Sequence, residues 1–365
     1  MNDFMKDSEL SSVAEKVNSG QRLSKADALL CMQTRDITGL GYLANQVRMR
    51  QVGDAAYFYV NLNVNPTNVC VNHCPICAFR RSPQAPDAYT LDVETFRNKI
   101  QSILPYGINE VHIVGGLHPE ATLAYYEDLC RTVKELNPSI CVHAYTAVEI
   151  DHISHKENLP VETVLTRLKA AGLDNMPGGG AELFAPRIRE LIARGKIDAK
   201  TWLSIHEKAH KLGIKTNATM LYGHVETPEE RVDHLLQIRD LQDQTGGFSC
   251  FVPLAFYPQN TYIKNPKLSG GMDDLRVIAT ARLVLDNVPH IKAIWTYLGW
   301  KLAQTALFFG ADDLHGTNLN EKIVHDAGSR EAAMMDRDVL VQMIRDAGRR
   351  PVLTNSGYSP AVEVN

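Results

Sequence analysis

The sequence predicts an α/β protein built on a (β/α)8 TIM-type barrel, and three observations favour that fold class. Short apolar runs alternate with helical patterns along most of the 365 residues. Eight such runs occur, and glycine-rich or motif-like segments follow several of them. Regular alternation of strand and helix implies right-handed crossovers and a parallel sheet, and eight units suffice to close that sheet into a barrel.

The predicted strands are short apolar runs bounded by polar or glycine-containing turns. They cover residues 57–64, 110–114, 140–145, 173–176, 215–222, 249–256, 291–295 and 311–314. The last two runs are short and weakly marked. A six-stranded open barrel with a separate C-terminal piece is therefore the alternative architecture.

Helical patterns fill the intervals between these strands. The first begins at Asp92, whose carboxylate suits an N-cap position because it accepts hydrogen bonds from free backbone N–H groups. The others cover residues 122–136, 161–171, 199–212, 228–244, 273–286 and 300–309. A helical lead-in precedes the first strand, and a more polar tail follows Gly316. We therefore expect an N-terminal helical extension (1–50), the barrel (51–315) and a short C-terminal extension packing on it (316–365).

Composition and charge exclude several classes of protein. Hydrophobic residues make up 44% of the chain and charged residues 22%, as in a globular protein with a large core. A net charge of -4 offers no general attraction for a nucleic-acid backbone. No apolar run reaches the roughly 18 to 20 residues that cross a bilayer, and the polar N-terminus does not resemble a signal peptide. We expect a cytoplasmic protein without membrane or nucleic-acid partners, whose seven cysteines are reduced.

The strongest chemical signal is the motif Cys70-x3-Cys74-x2-Cys77, which follows the first predicted strand directly. Three thiolates on a short loop can ligate three irons of a [4Fe–4S] cluster and leave the fourth iron without a protein ligand. The alternatives are a structural zinc site, with His73 or a distant residue as fourth ligand, and three unligated thiols. Zinc sites usually pair two short C-x-x-C hooks, and the sequence has no second hook. The remaining cysteines, Cys31, Cys130, Cys141 and Cys250, are expected to be buried as small apolar side chains.

Other polar and glycine-rich segments follow later strands, so the barrel fold predicts that they meet the cysteine motif at one face. The pair Gly115-Gly116 allows close approach of a ligand, although a tight turn explains it equally well. Glu182 follows three consecutive glycines and is a candidate for binding ribose hydroxyls, or a helix N-terminal acid. Glu149 is a candidate polar contact to cofactor or substrate, or one half of a salt bridge.

Two histidines are candidate substrate contacts because they follow predicted strands. They are His118 in GGLHP and His224 in YGHVE. Arg80 and Arg81, just after the cysteine motif, could attract a carboxylate or simply be solvated. Sequence alone does not distinguish these readings.

These segments together resemble the aminodeoxyfutalosine synthase family of radical S-adenosylmethionine (SAM) enzymes, over roughly residues 50 to 330. The resemblance rests on NVNPTNVCVNHCPICAF, HIVGGLHPE, AYTAVEI, MPGGGAELF, TNATMLYGHVETPEERVDHL, FVPLAFYPQNT and GTNLNEKIVHDAG. Ile76 departs from the aromatic residue common before the third cysteine, and an aliphatic contact to adenine would replace the ring. Asn63 stands where the family suggests histidine, which weakens any assignment of substrate groups to the first strand.

The resemblance implies a [4Fe–4S] cluster, with SAM chelated to its open iron and consumed as co-substrate. Gly115, Gly116, Glu149, Glu182 and Ile76 would contact SAM. The implied reaction adds the 5′-deoxyadenosyl radical to 3-[(1-carboxyvinyl)oxy]benzoate and, after rearrangement and decarboxylation, gives 6-amino-6-deoxyfutalosine for menaquinone biosynthesis. The alternatives are a cyclic dehypoxanthinyl futalosine cyclase or a related, FO synthase-like enzyme, and a non-catalytic metal or electron-transfer protein. The implied partners are small-molecule substrates and a flavodoxin- or ferredoxin-type reductant, and a homodimer is left open.

Overall fold

A computed structural model describes residues 5–364 of the chain. Its centre is a curled sheet of seven strands that are paired in sequence order and parallel throughout. These strands are β2 (Asn61–Val64), β3 (Glu110–Ile113), β4 (Cys141–Ala144), β5 (Asn175–Met176), β6 (Lys215–Tyr222), β7 (Phe248–Ala255) and β8 (His290–Ile291).

The seven-stranded sheet closes into a barrel through β1 (Ala55–Tyr59) and β9 (Asp313–Gly316). Strand β1 leads into β2 across a single residue, Val60, and pairs with β9 in parallel. On the other side, Lys292 next to β8 forms a parallel bridge with Asp313. All eight predicted strands are therefore present, with β1 and β2 as two halves of the first, and the open six-stranded alternative was wrong.

Helices surround the barrel and connect its strands. They are α1 (Ser11–Ser19), α2 (Lys25–Gln33), α3 (Ile37–Val52), α4 (Val93–Ile103), α5 (Leu123–Leu136), α6 (Ala147–Glu157), α7 (Val161–Ala170), α8 (Pro186–Ile192), α9 (Ala199–Lys211), α10 (Pro228–Thr245), α11 (Gly271–Val284), α12 (Trp295–Leu298), α13 (Trp300–Ala306), α14 (Ile323–Asp326) and α15 (Arg337–Asp346). Asp92 caps α4, as predicted, because its carboxylate accepts the Thr95 N–H at 2.7 Å. No helix within residues 5–364 is both long and apolar enough to span a bilayer.

The segments at both ends of the chain pack against the barrel. The lead-in helix α3 lies against α11, and the apolar contact includes Leu40, Leu43 and Leu283. Near the C-terminus, β10 (Arg350–Leu353) pairs in parallel with β1, and β11 (Val362–Glu363) pairs with β10 in the opposite direction. The division of the chain at residues 50 and 315 stays a prediction.

Residues 146–149 follow β4 and open a helix, α6, that the sequence did not predict. Thr146 is its N-cap. The Thr146 hydroxyl accepts the Glu149 N–H, while the Glu149 carboxylate accepts the Thr146 N–H, which is a capping box. The T-x-x-E spacing already carried this signal. Helix α8 was also missed, although Pro186 at its first turn is a usual helix start.

Candidate functional site

The carboxyl ends of the strands surround a cavity of about 350 Å³ inside the barrel. Its middle walls are apolar and include Val114, Leu221, Val252 and Leu254. The predicted site residues that line the cavity are Cys70, Cys74, Ile76, Cys77, Gly115, Gly116, Glu149 and Glu182. The fold therefore brings four separate sequence segments together at one site.

The cysteine loop is held in place by backbone hydrogen bonds to three other segments of the barrel mouth. The Val71 N–H donates to the Leu117 carbonyl at 3.0 Å, and the Ile76 N–H donates to the Ile192 carbonyl at 3.3 Å. The carbonyl of Pro75 accepts the Tyr262 N–H at 2.8 Å. These anchors fix the path of the loop independently of any bound group, which favours a preorganised site.

The three thiols are candidate ligands of a metal cluster. All three are free, and burial raises the pKa of Cys70 and raises that of Cys74 to about 11. Such thiols need a bound cation to lose their protons. Within residues 5–364 no three His, Cys, Asp or Glu side chains converge on a point suited to one metal ion. A cubane cluster does not require that convergence, because each thiolate binds a different iron.

The glycine pair is required by the packing of two loops. An added Cβ on Gly116 would lie 2.2 Å from the Val69 carbonyl oxygen, and one on Gly115 would lie 3.0 Å from the Thr67 carbonyl oxygen. The Gly116 N–H also donates to the Thr67 carbonyl at 2.8 Å. The absence of side chains at 115 and 116 therefore allows the segment after β3 to lie directly on the backbone that leads into the cysteine motif.

Glu149 joins the glycine pair to the start of α6. One carboxylate oxygen accepts the Gly115 N–H at 3.0 Å, and the other accepts the Thr146 N–H at 2.7 Å. Burial raises the pKa of Glu149 to about 7, although the hydrogen bonds from Thr146 and Gly115 oppose this shift. Among residues 5–364 Glu149 has no salt-bridge partner, so the alternative considered from the sequence is not seen there. A contact between Glu149 and a bound molecule stays a prediction.

Glu182 forms a partly buried ion pair with Lys196, a residue that the sequence did not mark. The Lys196 ammonium lies 2.5 Å from the Glu182 carboxylate. Burial alone would raise the pKa of Glu182, but Lys196 outweighs burial and lowers it. Glu182 in turn outweighs burial and raises the pKa of Lys196, and this cation lines the cavity together with Cys74 and Cys77. No local motif marks Lys196, because it reaches the site from the segment after α8.

The structure does not bring His118 or His224 to the cavity. The His118 Nδ1 atom accepts the N–H groups of Glu120 and Ala121, at 3.0 and 3.1 Å, ahead of α5. His224 is fully buried, and its Nδ1 accepts the Val225 N–H at 2.7 Å. Both imidazoles organise turns, and a contact of either with substrate stays a prediction.

The segment after β9 covers part of the cavity mouth. Glu321, Ile323, Val324 and Ala327, in and around α14, line the cavity. The Asn260 side chain donates to the Asp326 carbonyl at 2.7 Å and so ties this cover to the segment after β7. The tail from Gly316 therefore reaches the barrel mouth.

The parallel barrel, the three-cysteine loop at its mouth and the cavity beneath define a radical SAM enzyme. Residues 64–238 match the family model described as the Radical SAM superfamily, and residues 245–364 match the CofH/MqnC C-terminal region. The chain belongs to the radical SAM superfamily. Membership implies a [4Fe–4S] cluster and SAM, and the three thiols beside an enclosed cavity fit that requirement.

Relatives with assigned activities are similar over nearly the whole chain. An aminodeoxyfutalosine synthase from Thermus thermophilus is 46% identical over 358 residues, covering 97% of this chain and 96% of the relative. One from Streptomyces coelicolor is 39% identical over 94% of this chain and 92% of the relative. A 5-amino-6-(D-ribitylamino)uracil–L-tyrosine 4-hydroxyphenyl transferase from Methanopyrus kandleri is 42% identical, over 87% of each chain.

Solved structures with the same fold are more distant in sequence. The FeFe-hydrogenase maturase HydG from Carboxydothermus hydrogenoformans superposes with a TM-score of 0.76 at 18% identity, covering 96% of this chain and 81% of that one. Methylornithine synthase PylB gives a TM-score of 0.73 at 17% identity, covering 93% of this chain and 97% of that one. At such identities the likeness establishes the fold alone.

Proposed function

We propose that this enzyme makes 6-amino-6-deoxyfutalosine from SAM and 3-[(1-carboxyvinyl)oxy]benzoate, as an aminodeoxyfutalosine synthase. The observation that carries the proposal is the 46% identity to the Thermus thermophilus synthase across 97% of this chain. The cavity supports it, because three cysteines, two glycine-rich segments and a partly buried ion pair surround a space with apolar walls.

In this proposal Cys70, Cys74 and Cys77 hold the cluster and leave one iron open for SAM. When bound, the cluster supplies the electron that cleaves SAM and releases the 5′-deoxyadenosyl radical that adds to the vinyl carbon. Gly115 and Gly116 let the backbone approach SAM, and Ile76 packs on its adenine.

The Glu182–Lys196 pair supplies polar contacts for SAM. Its carboxylate is suited to ribose hydroxyls, and its ammonium is suited to the carboxylate of the methionyl group.

The remaining task of the protein is to position the alkene and exclude water. Val114, Val252 and Leu254 form apolar walls that disfavour solvent beside a reactive radical. Holding the two reacting carbons together can supply a large part of the rate enhancement, because the encounter becomes effectively intramolecular. The chemistry therefore depends on enclosure and orientation more than on a general acid or base.

Mass spectrometry of one anaerobic incubation tests the proposal. Reconstituted enzyme, SAM, a reductant and the enolpyruvyl ether are expected to give a product that contains the adenosyl group of SAM. A cyclase-type enzyme would release 5′-deoxyadenosine instead, and a non-catalytic protein would leave SAM intact. Either of those outcomes would contradict the proposed function.

A second candidate function is 4-hydroxyphenyl transfer, favoured by the 42% identity to the Methanopyrus kandleri transferase. The same incubation with L-tyrosine and 5-amino-6-(D-ribitylamino)uracil separates the two functions. We expect no hydroxyphenyl adduct of the uracil. Formation of that adduct would assign the chain to the transferase branch.

The proposal includes an electron donor, which we expect to be a flavodoxin- or ferredoxin-type protein of the cytoplasm. A homodimer stays a prediction. A flavodoxin that supports turnover in place of a chemical reductant would establish the first point, and sedimentation analysis would decide the second.

A further inference from the structure

The end of the cavity farthest from the cysteine loop is lined by polar side chains from separate strands. We refer to this group, which comprises Tyr59, His112, His143, Asn217, Lys292 and His315, as the polar floor; each of its members lines the cavity. His112 and His143 lie three residues before Gly115 and Thr146, respectively, which is about 10 Å along a strand. The polar floor is therefore deep in the barrel, below the region assigned to SAM.

Two polar atoms of the polar floor have no partner. His112 Nε2 and Asn217 Oδ1 are buried, and neither makes a hydrogen bond in the described part of the chain. The Asn217 side-chain nitrogen lies 3.4 Å from His143 Nε2, which fixes the orientation of the amide. The amide oxygen has no partner among the described residues. A buried polar atom without a partner is costly, and a bound ligand would remove that cost.

Lys292 adds a positive charge that is only partly satisfied. Its side chain is buried, and its one hydrogen bond among the described residues is to the Tyr59 hydroxyl at 2.9 Å. The nearest carboxylate oxygen, on Asp313, is 3.5 Å away and already accepts the Tyr358 hydroxyl at 2.6 Å. Since an ammonium carries three N–H donors, Lys292 retains donors for a ligand.

The other titratable groups of the polar floor carry no charge that would repel an anion. Burial lowers the pKa of His112 to about 4 and lowers the pKa values of His143 and His315, so all three imidazoles are neutral donors or acceptors. Burial raises the pKa of Glu110, whose carboxyl accepts the Ser356 hydroxyl at 2.9 Å. The polar floor thus offers one ammonium with free N–H groups and neutral hydrogen-bonding groups, but no unpaired carboxylate.

We propose that the polar floor binds a carboxylate of the second substrate, with Lys292 as its cationic contact. This inference rests on the proposed function and deepens it by assigning a substrate subsite. The vinyl group must face SAM at the mouth, so the benzoate carboxylate, at the other end of the ligand, points to the floor. The aromatic ring then lies between the apolar walls formed by Val252 and Leu254.

Steady-state kinetics of Lys292→Met test the subsite, because methionine keeps the length of the side chain and removes its charge. The KM for the enolpyruvyl ether is expected to rise about 10- to 100-fold, as for loss of a hydrogen-bonded charge, while the KM for SAM changes less than about twofold. Asn217→Leu, which leaves the Lys292–Asp313 pair intact, is expected to raise the same KM about tenfold. Thermal unfolding and the cluster absorption spectrum report whether each variant is folded.

A substrate analogue provides the matched control. The benzamide analogue of the ether carries a neutral carboxamide in place of the ring carboxylate, so wild-type enzyme should use it less efficiently by about the same factor. Lys292→Met should lose this discrimination and treat acid and amide alike. An unchanged preference for the acid in folded Lys292→Met and Asn217→Leu would overturn the subsite and leave the proposed function intact. Wild-type enzyme that converts neither compound would overturn the proposed function itself.

Discussion

The mouth and the polar floor of the cavity are built in different ways. At the mouth, contiguous motifs supply the site, and backbone hydrogen bonds such as that from the Gly116 N–H to the Thr67 carbonyl hold it. At the floor, five strands supply one side chain each and Lys292 follows a sixth, so residues from 59 to 315 in the sequence meet around the barrel axis.

The two regions also differ in how completely their polar groups are paired within the protein. Lys196 at the mouth lies 2.5 Å from Glu182, whereas Lys292 at the floor lies 3.5 Å from Asp313. The mouth is therefore preorganised by its own contacts, and the floor retains unpaired groups that a ligand can use. One cavity therefore contains a cofactor region that its own contacts already hold in place and a substrate region in which some polar groups lack partners until a ligand binds.

The largest expected effect comes from the cysteine loop. Alanine at Cys70, Cys74 or Cys77 should abolish cluster assembly and SAM cleavage, because each thiolate is the sole protein ligand of its iron. Circular dichroism should still show the folded barrel. Cys130→Ala, which removes a buried thiol elsewhere, should keep a full cluster by iron and sulfide analysis. A motif variant that cleaved SAM at the wild-type rate would refute the assignment.

Gly116→Ala should have the next largest effect. The added methyl group would lie 2.2 Å from the Val69 carbonyl oxygen, so the cysteine loop must move. A displacement of this kind is expected to reduce the rate of SAM cleavage about 100-fold. Gly270→Ala is the control, because nothing lies within 4 Å of the added atom. Equal rates for the two variants would show that the packing of the two loops is unimportant.

Lys196→Met tests whether the mouth and the floor of the cavity bind different substrates. Loss of this cation is expected to raise the KM for SAM about tenfold, through a weaker hold on the methionyl carboxylate, and to leave the KM for the aromatic substrate nearly unchanged. Lys292→Met should give the opposite pattern. If both variants changed the same KM, the division of the cavity into two subsites would be wrong.

Glu149→Gln should change stability more than chemistry. The Glu149 carboxyl titrates near 4.5 when unfolded and at about 7 when folded, so the wild type loses stability as pH rises between these values. The loss is on the order of 3 kcal/mol in the free energy of unfolding. The variant lacks this titration, so the wild-type advantage in denaturant unfolding should shrink from pH 4.5 to pH 7. A pH-independent difference would contradict the assigned shift. Burial also raises the pKa of Glu321 to about 7, but Glu321 titrates in both the wild type and the variant. Its contribution therefore cancels in the comparison of their stabilities.

The sequence predicted the mouth of the cavity better than its floor. The eight strands and the residues of the mouth were recognisable because the cysteine motif and the glycine pair are local patterns. Lys196 and Lys292 were not, since only the closed barrel brings them to the cavity. His118 and His224 were singled out only by their place after a strand, where residues also form turns, and both imidazoles accept backbone N–H groups there.

Electron paramagnetic resonance of the anaerobically reconstituted and reduced protein tests the central claim most directly. The claim is that three thiolates at the barrel mouth leave one iron open to SAM. The account predicts a [4Fe–4S] signal that changes shape when SAM is added. A protein that assembles no four-iron centre, or whose signal is unaffected by SAM, would contradict it.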